Sequence, residues 1–583
     1  MKHIFLLTLS LFALPALAQK PTTKADDPGG LKAIGSPVNP KVPMRWNHYN
    51  DYSMITRFCQ DLAKAYPELV KLESMGKSYQ GRDIWVMTIT DTKAGNPDQK
   101  PGFYIDGNIH SNELQGAEVA MYTAWYLAES FADEAYIKQL LKTRTFYITP
   151  TINPDAREDF IKNPNTANSP RSGMMPLDDD GDGQVDEDKY DDLDGDGNIV
   201  QMRRKTPLGR WKVDPDDPNR MVPAKPGEAG EYELLGTEGE DNDGDGAVNE
   251  DVVGQYDPNR DWGWGWQPDY IQRGALLYPG SLPETQAVKK FIMSHPNIAG
   301  AQSYHNYGGM FLRGPGSEED IPYYTPGDIA VYDAMGKVGE KMIPGYRYLT
   351  IYKDLYTVYG GEIDWLSLGR GIFTFSTELM TSYKLFNQKS DEGRFQNNEF
   401  NEFDKYLLLS DAYVPWKAYK HPQYGDIEIG GSKKNYVRNH PGFMLEEDAH
   451  RNMAFTLFHA YNMPQLAIPS VTTKALANGL TEVTATVQNE RLIPTHSSHD
   501  IKYRIERPDR ITLKGTTVLA GMVVDNADMG LTREQKTNPA TIDVPNIPGT
   551  GYVMVRWIVK GKPGKATVEV DSRKGGFVSK TVE

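Results

Sequence analysis

The feature that most limits the fold of this chain is an alternation of short apolar runs with helical patterns between residues 47 and 463. Apolar residues recurring every three to four positions predict helices at 51–65, 116–131 and 446–461. Apolar runs too short for a helix predict buried strands at 84–89, 103–105, 145–149, 298–304 and 372–376. The alternation predicts an α/β domain, built on a mixed, mainly parallel sheet flanked by helices.

The pattern changes near residue 464. Segments 483–487, 501–505, 518–523 and 553–558 alternate apolar and polar residues and are separated by Gly, Pro and Asn. This pattern predicts a small antiparallel β-sandwich at 464–583, whose role the sequence leaves open. The first domain then covers 47–463, interrupted by acidic insertions at 164–200 and 236–255.

The first residues have the composition of an export signal. A short positive start precedes an apolar run too short to span a bilayer, and a small-x-small cleavage site ends at Ala18. We expect a signal peptide at 1–18 and a flexible leader at 19–46; a retained membrane anchor is the alternative. No later apolar stretch is long enough for a transmembrane segment, and the single Cys59 excludes an internal disulfide. The chain is predicted to be exported, to the periplasm or the extracellular space.

Two acidic loops account for the whole of the formal net charge of −16. Asp and Glu are concentrated at 178–196 and 238–251, and the rest of the chain is close to neutral. Nucleic acid is not an expected partner, because no basic cluster of the required size is present.

These loops contain three Asp-x-Asp-x-Asp-Gly motifs. Alternate aspartates can converge on a hard cation, and the glycine allows a sharp turn, so the motifs predict calcium binding. A solvated acidic loop is the alternative. The candidate calcium ligands are Asp178, Asp180, Asp182, Asp186, Asp192, Asp194, Asp196, Asp241, Asp243, Asp245 and Asn249.

A second candidate metal site combines His110 and Glu113 with His305, which follows a strand-like run. Two histidines and one glutamate leave a zinc position open for water or substrate. Either motif alone is also compatible with a polar turn or a core histidine.

Glu378 ends the apolar run at 372–376. A carboxylate at such a position is costly unless it is paired or functional. Burial raises a carboxyl pKa, which suits a general base near neutral pH. A structural ion pair is the alternative.

Two segments offer arginines. Asn259 and Arg260 together form a directional receptor for a carboxylate, although an ordinary loop is also possible. Arg204 lies in a basic run and on its own is compatible with a solvated surface.

These segments resemble those of zinc carboxypeptidases of the pancreatic carboxypeptidase A type, over roughly residues 50–400. His110-Ser-Asn-Glu113 is similar to the family's His-Ser-x-Glu motif, and Ser303-Tyr-His-Asn-Tyr307 to its Ser-x-His-Ser-Tyr segment. Asp257-Pro-Asn-Arg-Asp-Trp262 is similar to Asp-Ala-Asn-Arg-Asn-Trp, and Arg203-Arg-Lys-Thr206 to Trp-Arg-Lys-Thr. The longest ungapped match starts at Tyr356 and reaches Glu378. Asn112 stands where the family often has an arginine.

The resemblance implies a carboxypeptidase A-like fold and a role for each residue. Zinc would bind to His110, Glu113 and His305. Glu378 would move the proton, and Arg204 would polarise the scissile carbonyl. The substrate-binding residues implied are Asn259, Arg260 and Tyr356 for the terminal carboxylate, Ile363 and Ile351 for the side-chain pocket, and Tyr307.

The sequence thus predicts an exported zinc carboxypeptidase that removes C-terminal residues from peptides. The apolar Ile363 predicts a preference for apolar or aromatic side chains, unless the adjacent Glu362 turns into the pocket. One alternative is a relative acting on cell-wall peptides or side-chain amides. Another is an inactive, calcium-dependent adhesion protein. Oligomeric state is left open.

Overall fold

A computed structural model describes residues 34–178, 181–381 and 397–582, without the side chains of 397–401. The predicted signal peptide, most of the predicted leader and Asp180 lie outside the described residues. In the described part of the chain, no helix is both long and apolar enough to span a bilayer.

The first domain is built on an eight-stranded mixed sheet with the order β1-β2-β4-β3-β9-β12-β10-β11. The four central strands β4, β3, β9 and β12 run parallel, and antiparallel pairs flank them. The strands are β1 Val70–Lys77, β2 Asp83–Ile89, β3 Gly102–Gly107, β4 Thr145–Thr149, β9 Ile298–Asn306, β10 Met310–Arg313, β11 Arg347–Thr350 and β12 Phe373–Leu379. This agrees with the predicted α/β class.

Helices cover both faces of this sheet. The predicted helices are present as α1 Tyr52–Ala65, α2 Gln115–Glu129 and α10 Leu445–Tyr461. The remaining helices are α3 Ala135–Thr143, α4 Pro154–Lys162, α5 Pro283–Ser294, α6 Pro326–Met342, α7 Ile351–Asp354, α8 Glu362–Asp364 and α9 Asn397–Leu407.

The alternation of side chains along the strands creates two cores. In β3, Phe103 and Ile105 pack with α2 and α10 on one face, whereas Tyr104 packs with α5 on the other. All six residues of β3 are buried, which is typical of a strand covered on both faces. The central strands are therefore rigid supports for whatever their carboxyl ends carry.

A second sheet of six strands, with the order β13-β14-β5-β8-β6-β7, was not predicted. Its strands are β5 Gln201–Gly209, β6 Trp211–Asp214, β7 Asp217–Pro223, β8 Gly230–Thr237, β13 Tyr413–His421 and β14 Gly425–Ser432. Many of their residues are polar and exposed, so they lack the apolar runs by which buried strands are detected. The pairing joins two segments about 200 residues apart, which local patterns do not reveal.

The C-terminal region contains two antiparallel sheets around a shared apolar core. The strands are β15 Leu466–Ala475, β16 Leu480–Asn489, β17 Asp509–Lys514, β18 Val518–Asn526, β19 Leu531–Glu534, β20 Thr541–Val544, β21 Tyr552–Lys560, β22 Thr567–Ser572 and β23 Gly576–Thr581. The predicted strand at 501–505 is wrong: this segment lies mostly in a short helix, α11 Ser498–Tyr503. The Ser497 side chain accepts a bond from Asp500 N and caps that helix, which outweighs the alternation of apolar residues.

Buried polar contacts join the two regions. Lys574 Nζ donates to the carbonyl oxygens of Arg370 (2.8 Å) and Gly371 (2.7 Å), just before β12. Ser498 N donates to the carboxylate of Asp328, on α6. The C-terminal region therefore packs on the first domain beside the start of the strand that carries Glu378.

Candidate metal centre and cleft

His110 and Glu113 lie in the loop that connects β3 to α2. Asn108 has a φ of 58°, and its amide donates to the carbonyl oxygens of His110 (2.8 Å) and Ser111 (2.9 Å). These bonds hold the tight turn that brings the imidazole and the carboxylate, three residues apart, to the same side. Both side chains are almost fully buried.

His305 completes this group from β9, the strand next to β3. His110 Nδ1 lies 3.1 Å from Glu113 Oε1, His305 Nδ1 lies 3.0 Å from Glu113 Oε2, and the two Nδ1 atoms are 3.3 Å apart. Zinc bonds of about 2.1 Å in a tetrahedron separate neighbouring ligand atoms by about 3.4 Å. The donor set and its spacing therefore fit zinc.

Further contacts orient these side chains. His110 Nε2 lies 2.9 Å from Asp257 Oδ1, which is the kind of carboxylate partner that orients metal-binding histidines. Burial opposes ionisation of Glu113, but His110 and Arg171 outweigh it and hold the pKa of Glu113 well below its usual value. The carboxylate is thus ready to bind a cation near neutral pH.

Glu378 lies beside this group, because β12 runs parallel to β9 and pairs Glu378 with His305. Burial, and then the negative charge of Glu113, raise the pKa of Glu378 to about 7. A carboxyl group with that pKa can both take and release a proton near neutral pH.

An open cleft extends from His110, His305 and Glu378. Asn259, Arg260 and Tyr356 line it, together with five apolar side chains. Those five are Leu312, Ile351, Leu355, Val358 and Ile363. The predicted clamp and pocket residues therefore meet in one cleft, although they lie up to 104 positions apart in the sequence.

Asn259 and Arg260 are held in place by neighbouring groups. The Asn259 side-chain oxygen accepts a bond from Glu362 N (2.9 Å), which leaves the amide N–H groups as its donors. Arg260 donates from Nη1 to Asn259 O (2.8 Å) and lies 3.7 Å from Asp257. Arg260 Nε is buried and has no hydrogen-bond partner among the described residues.

The predicted position of Arg204 in the site is wrong. Arg204 lies on β5 of the second sheet, where it is exposed and pairs with Glu233 at 3.0 Å. The cleft is lined instead by Arg171, in addition to Arg260, and Arg171 Nη1 lies 2.6 Å from Glu113 Oε1. Arg171 O accepts a bond from Ser111 N (2.8 Å), so the loop of Arg171 is tied directly to the His110 loop.

Tyr307 is not among the residues that line the cleft in the described structure. Its ring lies under the guanidinium of Arg438, 5.5 Å away. The Arg438 carbonyl accepts a bond from the Asn306 side chain (3.0 Å). The positive charge of the Arg438 guanidinium favours ionisation of Glu378. No motif pointed to Arg438, because only tertiary contacts bring its loop to the site.

The three Asp-x-Asp-x-Asp-Gly motifs of the acidic loops form the same turn. The Asp178, Asp192 and Asp241 carboxylates each accept a bond from the backbone N of the motif's last glycine, at 2.9–3.1 Å. Among the described residues, three groups of carboxylates lie close enough to share an ion; they include Glu187 and Glu238, which were not predicted, but not the predicted Asp178, Asp186 and Asp196. The groups are Asp182, Glu187 and Asp243; Asp192, Asp194 and Glu238; and Asp241, Asp243 and Asp245.

The comparisons with known proteins agree on one family for the first domain. The zinc carboxypeptidase family profile matches residues 55–168 and 237–400, and a domain of unknown function matches 465–583. The first match omits 169–236, the part that contains both Arg171 and Arg204.

Individual relatives match shorter stretches. Carboxypeptidase B of Astacus astacus is 38% identical over 113 residues, covering 19% of this chain and 35% of the relative. Carboxypeptidase D of Mus musculus is 30% identical over 131 residues, covering 22% of this chain and 9% of the relative. The solved carboxypeptidase A of Helicoverpa armigera has a TM-score of 0.41 at 16% identity, covering 74% of this chain and 76% of that one. The chain thus spans only about a tenth to a third of the length of these two curated relatives.

Proposed function

Because this chain belongs to the zinc carboxypeptidase family, we propose that it hydrolyses the last peptide bond of peptides and releases the C-terminal residue. The observation that carries the proposal is the pairing of Glu378 with His305, within a cleft that also contains Asn259 and Arg260. The cleft thus combines a metal-binding group, a base and a receptor for a free carboxylate.

Zinc held by His110, Glu113 and His305 would supply Lewis acidity to a water molecule and to the substrate carbonyl. Glu378 takes a proton from the attacking water and delivers it to the leaving amine, for which a pKa of about 7 is suited. Arg171 takes the role that the sequence resemblance implied for Arg204. Its guanidinium lines the cleft and can donate to the oxygen on which negative charge develops.

Asn259 and Arg260 orient the substrate by binding its terminal carboxylate. The unpartnered Nε of Arg260 supports this role, because a buried donor without a partner is stabilised by an incoming acceptor. Tyr356 is exposed at the edge of the cleft, where its hydroxyl can contact the same end of the peptide. Ile351 and Ile363 contribute apolar walls to the side-chain pocket.

A digest of a peptide library, read by mass spectrometry, tests this proposal. We expect loss of single residues from free C-termini, abolished by a chelator and restored by zinc. Cleavage restricted to cell-wall peptides or side-chain amides would favour that branch of the family instead. Zinc binding without turnover of any peptide would support a binding protein.

We propose calcium as a second metal, bound by the acidic loops. The carboxylates of these loops are clustered and repel one another. A bound cation would remove that repulsion. Two raised pKa values support calcium binding. Burial and the neighbouring Asp251 raise the pKa of Glu187 to about 7. The neighbouring Asp188 and burial raise the pKa of Glu250 to about 7. Export is proposed from the composition of residues 1–18 alone.

A further inference from the structure

The inner end of the side-chain pocket is not apolar. Glu362 lines the cleft beside Ile363, although only 1% of its surface is exposed. Its backbone N donates to the side chain of Asn259, so the pocket and the carboxylate clamp are mechanically linked. The apolar preference predicted from Ile363 assumed that Glu362 points away.

Behind Glu362 lies a second buried carboxyl group, Asp106 on β3. Ser303 Oγ lies 2.7 Å from Asp106 Oδ1 and 3.1 Å from Glu362 Oε2. One hydroxyl has a single proton, so it can donate to only one of the two carboxylates at a time. Glu362 Oε1 and Asp106 Oδ2 are buried, and the two carboxyl groups lie close enough to share a proton, with the Tyr104 hydroxyl next to Asp106.

In the part of the chain that the structure describes, this carboxyl pair has no lysine or arginine partner. Burial, followed by the charge of Asp106, raises the pKa of Glu362 well above its usual value. Buried carboxylates are costly unless paired, so an incoming positive charge would be stabilised here.

We propose that the Glu362–Asp106 pair makes this pocket a subsite for a basic C-terminal side chain, lysine or arginine. The inference rests on the proposed carboxypeptidase function and specifies its substrate class. The aliphatic stem packs along Leu312, Ile351 and Val358, and the terminal cation reaches Glu362. Glu362 is the specificity-determining residue that touches the substrate; Asp106 positions it and supplies part of the negative charge.

The sharpest test compares peptides ending in lysine and in norleucine, which has a similar aliphatic stem but no charge. The zinc-loaded wild type should cleave the lysine peptide with the higher kcat/KM, by on the order of 100-fold. Glu362→Gln, which keeps size and removes charge, should abolish or reverse this ratio. Glu534→Gln, at an exposed position in the C-terminal sheet, is the matched control and should leave the ratio unchanged.

A binding measurement separates this inference from the proposed function. Calorimetry with the zinc-loaded Glu378→Gln variant should show tighter binding of the lysine peptide than of the norleucine peptide. The basic subsite would be overturned if the wild type cleaved the norleucine peptide, and Glu378→Gln bound it, at least as well as the lysine peptide. Neither measurement requires that Glu362→Gln folds. Selective binding of lysine without any hydrolysis by the wild type would instead overturn the carboxypeptidase function and leave the subsite standing.

Discussion

Glu378 and His305 are paired residues on two adjacent parallel strands, β12 and β9. Backbone bonds of a buried sheet therefore fix the distance between the proposed base and a proposed zinc ligand, and no flexible loop intervenes. The strands are covered by helices on both faces, so a change at one side chain should not displace the other. This separation makes the two roles testable independently.

Replacing Glu378 with Gln should leave zinc binding intact and reduce turnover by at least about 100-fold, because only the proton carrier is lost. Zinc content measured by elemental analysis and kcat measured on one blocked dipeptide would check both parts. Activity close to that of the wild type would exclude Glu378 as the base.

Arg171 and Arg204 form a matched pair of variants, because the sequence resemblance implied Arg204 and the structure places Arg171 at the cleft. Arg171→Ala should lower kcat by about 10²–10³-fold, as expected for loss of an oxyanion donor. Arg204→Ala should change kcat little, because its exposed pair with Glu233 contributes only about 0–1 kcal/mol to stability. The opposite ranking of the two variants would restore the sequence-based assignment.

The difference between these arginines shows what local sequence could reveal. His110, Glu113, His305 and Glu378 each lie at or just beyond the carboxyl end of a buried strand, and such positions are marked by apolar runs. Arg171 lies in an irregular loop whose position depends on hydrogen bonds from residues distant in sequence, among them Ser111 and Asn153. Patterns of hydrophobicity carry no information on contacts of this kind.

The same reasoning explains the larger errors of architecture. Five strands of the central sheet, β2, β3, β4, β9 and β12, were predictable because they are largely buried and contain apolar runs. The strands β1 and β11, which are partly exposed, and the short β10 were not predicted. The second sheet pairs exposed, polar strands across long sequence separations, as between Met202 and Ile429. The helix at Ser498–Tyr503 depends on a capping bond from the Ser497 side chain, which competes with an alternation typical of strands.

Arg260→Ala should weaken transition-state binding by about 2–5 kcal/mol, the cost of breaking a desolvated charge pair. The loss should appear with peptides that have a free C-terminus and be nearly absent with amidated peptides, which the wild type should already cleave poorly. The ratio of kcat/KM for the free and amidated forms of one peptide measures this. A wild type that cleaves both forms equally well has no carboxylate clamp.

Calcium should stabilise the folded protein because it binds the ordered acidic loops and not the unfolded chain. The gain is about 2.7 kcal/mol when free calcium is 100 times its Kd. Asp243→Asn should reduce the gain in Tm most, since Asp243 belongs to two of the three carboxylate groups. Asp528→Asn, an exposed position in the C-terminal region, is the control. Absence of any calcium-dependent shift in Tm would leave the loops as solvated acidic segments.

His496 should make the stability of the C-terminal region depend on pH. It is buried, with Nδ1 2.9 Å from Asp500 and Nε2 3.2 Å from Asp509, while Asp500 also pairs with Lys574 at 3.2 Å. Burial opposes protonation, but the two carboxylates outweigh it and raise the pKa of His496 from 6.5 to about 9. The stabilisation is therefore complete below about pH 6.5 and is lost as the pH rises through 9, with an upper limit of about 3 kcal/mol. Denaturant titrations should thus give free energies of unfolding for the wild type and His496→Gln that differ most near pH 6.5 and converge by pH 9.5.

His450→Gln is the control for this measurement. Burial lowers the pKa of His450, so the effect of that substitution on the free energy of unfolding should stay constant over this range. A wild-type advantage over His496→Gln that does not shrink with rising pH would mean that His496 is not charged in the folded protein.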